Sequence, residues 1–130
     1  MSEKLVRRGI ISAVYPERHS ARVTFSDEDD LVSEELPILT SYAFRNKLFH
    51  VPDVGEQVIV LYEQNDSGEG DGVILGSIFS DQDAPNAAEQ DKFRMDFGDG
   101  SFFEFDRATG NLNINCTGNV TVNGKNIYLN

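Results

Sequence analysis

Asn111-Leu-Asn-Ile-Asn-Cys-Thr-Gly-Asn-Val-Thr-Val-Asn-Gly-Lys-Asn-Ile-Tyr-Leu-Asn130 is the stretch that decides the fold. Leu112, Ile114 and Cys116 alternate with Asn113, Asn115 and Thr117. Gly118 and Asn119 interrupt the run, Val120 and Val122 alternate with Thr121 and Asn123, and Ile127 and Leu129 resume it after Gly124 and Lys125. Period-two alternation predicts strands with one apolar and one polar face. Strands this short cannot bury such a face within one chain; they need stacked neighbours, as repeat architectures do. The sequence ends on such a strand at Asn130, and a bare edge there would be adhesive. The tail therefore predicts self-assembly and a partner at its end.

Upstream, residues 1–80 read as β-strands joined by turns. The expected strands are Arg8–Val14, Ser20–Phe25, Glu35–Leu39, Gln57–Tyr62 and Gly72–Phe79, with an irregular excursion at Thr40–Val51. Pro37 confines its strand to an edge or a start. The near-continuous apolar run Gln57-Val-Ile-Val-Leu-Tyr62 predicts burial on both faces. Five strands at this spacing predict a small closed barrel, because closure removes the edges. Ser80–Asp91 has no large apolar residue and reads as a linker with room for one helical turn, which places the linker at 81–92. Phe93–Phe97 and Ser101–Phe105 around Gly98-Asp-Gly100 form a hairpin signal, and Asp106–Gly110 turns into the tail. The expected organisation is all-β: a five-stranded barrel over 1–80, the linker, and a short repeat-like segment over 93–130.

Composition limits the partners. Eleven basic and twenty-two acidic residues give a net charge of −11, carried by both halves of the sequence. Such a surface repels phosphate backbones, which argues against nucleic acid and anionic membranes. The single cysteine, Cys116, excludes an internal disulfide and reads as a small hydrophobe on an apolar strand face. Met1–Arg8 has no apolar core of a signal peptide and no segment is long enough to span a bilayer, so cytoplasmic synthesis is expected and the sequons at Asn65, Asn115 and Asn119 are chance matches.

No catalytic constellation emerges. His19 and His50 lack metal-ligand spacing and read as polar surface residues rather than ligands. Asp27–Asp30 with Glu34 and Glu35 could attract a divalent cation, but lacks the alternation and central glycine of a calcium loop; a solvated charged loop is the simpler reading. Asp96, Asp99, Glu104 and Asp106 show no acid–base pairing. Gly68-Glu-Gly-Asp-Gly72 lacks the lysine and following helix of a phosphate loop. Phe93, Phe97, Phe102, Phe103 and Phe105 could stack bases, although packing is the expectation on so acidic a chain. The chain is expected not to be an enzyme and to carry no cofactor or metal.

Four blocks together resemble a known family. They are Arg8-Gly-Ile-Ile-Ser-Ala-Val-Tyr-Pro-Glu-Arg-His-Ser-Ala-Arg-Val23, Glu35-Leu-Pro-Ile-Leu39, Pro52-Asp-Val-Gly-Glu-Gln-Val-Ile-Val60 and Gly72-Val-Ile-Leu-Gly-Ser77. They resemble the baseplate assembly protein V family, the central spikes of contractile phage tails and of tail-derived bacteriocins and injection systems. The resemblance covers about residues 7–85, and Gly110–Gly124 looks like the family's β-helical spike repeat. It implies an oligonucleotide/oligosaccharide-binding (OB) barrel followed by a trimeric β-prism. It implies a homotrimer assembled in a baseplate, with a tail hub at the barrel end and the target-cell envelope met during injection. The trimer core would be Leu112, Ile114, Cys116, Val120, Val122, Ile127 and Leu129.

Two departures from the family matter. The linker is too short for the lysozyme domain that some relatives insert, and no histidine follows His50 to build a His-x-His metal tip. Four expected strands per chain (102–106, 111–117, 119–123 and 126–129) give a prism only about 19 Å long at about 4.7 Å per strand. By resemblance, its blunt end at Asn126, Ile127, Tyr128, Leu129 and Asn130 would dock a small tip protein of the PAAR-repeat class. The alternative function is a free-standing OB module for single-stranded nucleic acid or sugar; a carboxylate hydrolase is a third and remote reading.

Overall fold

A computed structural model describes residues 5–63 and 71–130. Met1–Lys4 and most of the polar loop read at 65–71, with Asn65 and the Gly68 phosphate-loop reading, lie outside the described residues. The chain is all-β and divides into two compact units, residues 1–83 and 84–130.

Unit 1 is built on one antiparallel sheet. β1 (Val6–Tyr15) pairs with β2 (Ser20–Phe25) on one side and with β5 (Gln57–Tyr62) on the other. β2 pairs with two short strands, β3 (Leu31–Val32) and β4 (Leu36–Pro37), and β5 pairs with β6 (Gly72–Ser77). Between β4 and β6 there is no ladder among the described residues. One parallel bridge, Ile38 to Ile74, lies there, and the Leu39 N–H donates to the Ile74 carbonyl at 2.8 Å.

Alternation along the strands sorts residues into and out of the core. Ile11, Ala21, Val23, Phe25, Leu36, Ile38, Val58, Val60 and Ile74 form one buried cluster drawn from β1, β2, β5, β6 and the β4 segment. Gly9 belongs to this arrangement because a Cβ there would collide with Val23 Cγ1 and lie 2.9 Å from the Thr24 carbonyl oxygen. The buried Arg7 guanidinium lies 3.6 Å from the Phe25 ring centroid and reaches Asp27 at 3.4 Å, a cation on an aromatic face beside a carboxylate.

Several expectations need correction. Among the described residues the sheet has six strands rather than five, because β3 is too short to leave a periodic signature. β5 is buried on one face only: Val58 and Val60 are core, whereas Leu61 is exposed. Among the described residues, no second layer of unit 1 covers Leu61, so an apolar run does not imply two buried faces. Residues 80–91 contain no helical turn. Asp27, Asp29 and Asp30 are exposed, as a charged loop would have them; within it Ser26–Glu28 is a 3-10 turn, followed by Asp29 and Asp30 at positive φ.

Unit 2 is a three-stranded antiparallel sheet, β7 (Lys92–Asp96), β8 (Phe102–Asp106) and β9 (Asn111–Asn115), in that order. Gly100 and Gly110 take positive φ in the two connecting turns, the conformation for which glycine carries least strain. The expected strands at 119–123 and 126–129 are not formed within the chain, and the strand expected to reach 117 stops at Asn115. No described helix is long and apolar enough to cross a membrane.

Candidate functional site

The β7–β9 sheet has two unlike faces, fixed by its register. One carries two cross-strand rows: Met95–Phe103–Ile114 and Phe93–Phe105–Leu112. Phe97 extends the first row, its ring centroid 6.4 Å from that of Phe103. In a folded sheet such rows are normally core. Here every one of these side chains remains 39 to 73% exposed. Phe93, Phe97, Phe103 and Phe105 are therefore not core within unit 2 itself, whereas Phe102, on the opposite face, is half-buried.

The opposite face is held by ions. Glu104 is buried, and its carboxylate accepts from Arg94 Nη1 at 3.0 Å and from Lys92 Nζ at 3.3 Å. Arg94 also donates to Asp96 at 2.9 Å and lies 3.9 Å from the Phe102 ring centroid. The Arg94 hydrogen bond, aided by Lys92, holds the Glu104 carboxyl below the ordinary carboxylate range. Arg94 lowers Asp96 in the same way. In return Lys92 is raised, chiefly by Glu104, and Arg94 is raised, chiefly by Asp96 and then Glu104. Asp96, Glu104 and Asp106 are thus structural partners of cations, and the arrangement holds no carboxylate pair poised as acid and base. This network covers the sheet's polar face, while the apolar face stays exposed.

Asp99 plays a part that the sequence did not reveal. In the β7–β8 turn it accepts from the Ser101 N–H at 2.9 Å and from the Thr117 hydroxyl at 2.8 Å, while the Thr117 N–H donates to Ser101 Oγ at 3.1 Å. The Ser101 amide, with Thr117 next, lowers the Asp99 carboxyl. The clamp joins residues eighteen apart, a separation that no local pattern signals. Among the described residues, Thr117 is the last to be hydrogen-bonded to another segment. Among the described residues, no hydrogen bond joins 118–130 to another segment.

The residues expected at a trimer core are accordingly all on the surface of the single chain. Leu112 and Ile114 lie on the apolar face of β9, Cys116 just beyond it is exposed, and Val120, Val122 and Ile127 follow in the unpaired tail. Cys116 is therefore not a core hydrophobe within one copy. At the tip, Asn126, Ile127, Tyr128, Leu129 and Asn130 are exposed, Leu129 to 91%.

Elsewhere, two acidic groups of unit 1 are tied to cations, Asp27 to Arg7 and Glu35 to Arg18. Glu35 accepts a two-pronged interaction from Arg18, at 2.7 and 3.1 Å, and another from the Ser20 hydroxyl. These partners lower the Glu35 carboxyl, Arg18 most. His19 and His50 stand side by side, ring centroids 6.1 Å apart. Among the described residues, no three His, Cys, Asp or Glu side chains converge as a metal site would require. No protein-family model matches the chain, and no curated protein matches it.

Proposed function

We propose that the chain is a structural central spike of a contractile tail or injection machine and acts as a homotrimer. The observation that carries this reading is the exposed apolar face of β7–β9, running into a tail that pairs with no other segment among the described residues. Two further copies would supply both what the face lacks and what the tail lacks. The face would close into a dry axis, and the strand segments of 118–130 would find interchain ladders as a β-prism. A needle needs that stiffness. Backbone ladders in three directions around an apolar core provide it.

Unit 1 is read as an OB-type barrel. The pairing circuit β1–β2–β4 and β1–β5–β6 would be closed by the Ile38–Ile74 bridge, and the buried cluster touches every strand of that circuit. The resemblance to the baseplate family supports the same order of parts: a barrel collar toward a tail hub, then a spike toward the target envelope. The exposed segment Asn126–Asn130 would meet a separate PAAR-class tip. We assign no enzymatic role.

The test is the native particle. Contractile particles purified from the producing cell should contain this chain at the baseplate centre, with density or a small polypeptide beyond Asn130. Deleting its gene should abolish complete particles. Intact, active particles assembled without the chain would refute the reading; a spike ending bare at this chain would refute the tip alone.

A further inference from the structure

A cyclic trimer needs two different patches on each copy, because every interface joins one surface of a protomer to another surface of its neighbour. Unit 1 carries two such patches. The first is the loop of residues 39–50. Its backbone is tied: Ala43 and Lys47 form an antiparallel bridge, the Leu48 N–H donates to the Tyr42 carbonyl at 3.0 Å, and the Thr40 hydroxyl donates to the Leu48 carbonyl at 2.7 Å. His19 fastens the base. Its Nδ1–H donates to the Ile38 carbonyl at 3.1 Å, and its Nε2 accepts from the His50 N–H at 3.4 Å.

A loop ordered in advance loses little entropy on docking. Yet this one holds Tyr42, Phe44 and Phe49 in solvent, Phe44 to 81%. Arg45 and Lys47 flank them, and no acidic residue lies between Glu35 and Asp53. Exposed aromatics beside arginine have the composition of interface hot spots. On a chain of net charge −11, this is a local basic stretch.

The second patch is the outer face of β1, β5 and β6. Val6 stands opposite Leu61, and Leu61 opposite Val73, with Leu75 exposed further along. Where β5 and β6 run out at this end, Glu63 and Asp71 are exposed and joined through their backbones. By alternation they share the face of Leu61 and Val73. Arg8 lies further along the same face, opposite Ile59. The patch is therefore apolar with an acidic end, the complement of the loop.

We propose that the 39–50 loop of one copy docks on the outer β1–β5–β6 face of the next, with Phe44 on the Val6–Leu61–Val73 row and Arg45 and Lys47 toward Glu63 and Asp71. The proposal rests on the trimer reading. Its occupant is a second copy because the complement in both apolarity and charge is already present on this chain. Three such contacts close a ring. Tails joined at a common axis would hold the barrels at millimolar effective concentration, so a modest interface suffices.

The test is photocrosslinking of the full chain with p-benzoylphenylalanine in place of Phe44. Irradiation should give covalent dimers and trimers, with crosslinked peptides joining residue 44 to residues 5–10, 57–63 or 71–77. The pair Arg45→Glu and Lys47→Glu should lower the yield about five-fold, as loss of two exposed ion pairs implies. Adding Glu63→Lys and Asp71→Lys should restore it. A protein that still has the trimer mass but crosslinks elsewhere, or only within a chain, overturns the loop proposal and leaves the trimer standing. A monomeric mass overturns both.

Discussion

Replacing Ile114 by aspartate should dissolve the assembly while leaving each chain folded. Ile114 sits in the Met95–Phe103–Ile114 row and is 61% exposed in the single chain. Fully burying such a side chain stabilises by about 1.5–3 kcal/mol, so the share still available to association is about 1–2 kcal/mol per copy. A carboxylate held in the same dry place costs several kcal/mol more, since its cross-strand neighbours Phe103 and Met95 offer it no charge partner. Repeated in three copies, the loss is on the order of 10 kcal/mol or more. At about 1.4 kcal/mol per tenfold, association weakens by a factor beyond about a million. The single chain pays little, because position 114 already faces solvent there and the β8–β9 ladder is backbone. Sedimentation velocity at micromolar concentration, with far-UV circular dichroism, is the assay. Ile114→Asp should sediment as a folded monomer; Asn113→Ser, one residue along on the polar face, should behave as the parent. An Ile114→Asp protein that keeps the parent's mass and melting temperature would refute the reasoning.

Further outcomes follow from the same structure. Val122→Asp should cripple assembly by converging three carboxylates on the axis, whereas Thr121→Asp should be nearly silent; equal melting of the two would show that the strand phase is wrong. Unit 2 should lose stability in acid. Glu104 and Asp96 have carboxyl groups lowered in the folded state, so their contribution is full above the ordinary carboxylate pKa of about 4 and is lost as pH falls through the lower folded values. Amide hydrogen exchange of β7–β9 between neutral pH and pH ~3 should show it, and Glu104→Gln should flatten that dependence. Gly9→Ala should destabilise unit 1 by about 1–3 kcal/mol through the clash with Val23, read as an earlier denaturant midpoint. Purified protein should degrade neither peptidoglycan nor nucleic acid; clear activity free of contaminants would overturn the non-enzymatic assignment.

What was legible in the sequence was whatever repeats locally. Ser20–Phe25 forms a strand with the expected bounds, because alternation and flanking turns both mark it. The hairpin around Gly98–Gly100 and the turn ending at Gly110 follow from glycine chemistry. Less legible was anything set by distant partners. The run 57–62 looked buried on both sides, but composition cannot say whether a second layer exists to cover Leu61. The Asp99–Thr117 clamp and the His19 anchor of the 39–50 loop depend on contacts across many residues. The phenylalanines of unit 2 looked like core because aromatic rows usually are. Their exposure follows from a sheet with only one layer in a single chain.

Light scattering on the full-length chain at micromolar concentration, behind a sizing column, tests the central claim most directly. The account predicts three times the chain mass, collapsing to one for Ile114→Asp. A full-length protein that elutes at the mass of one chain would contradict it.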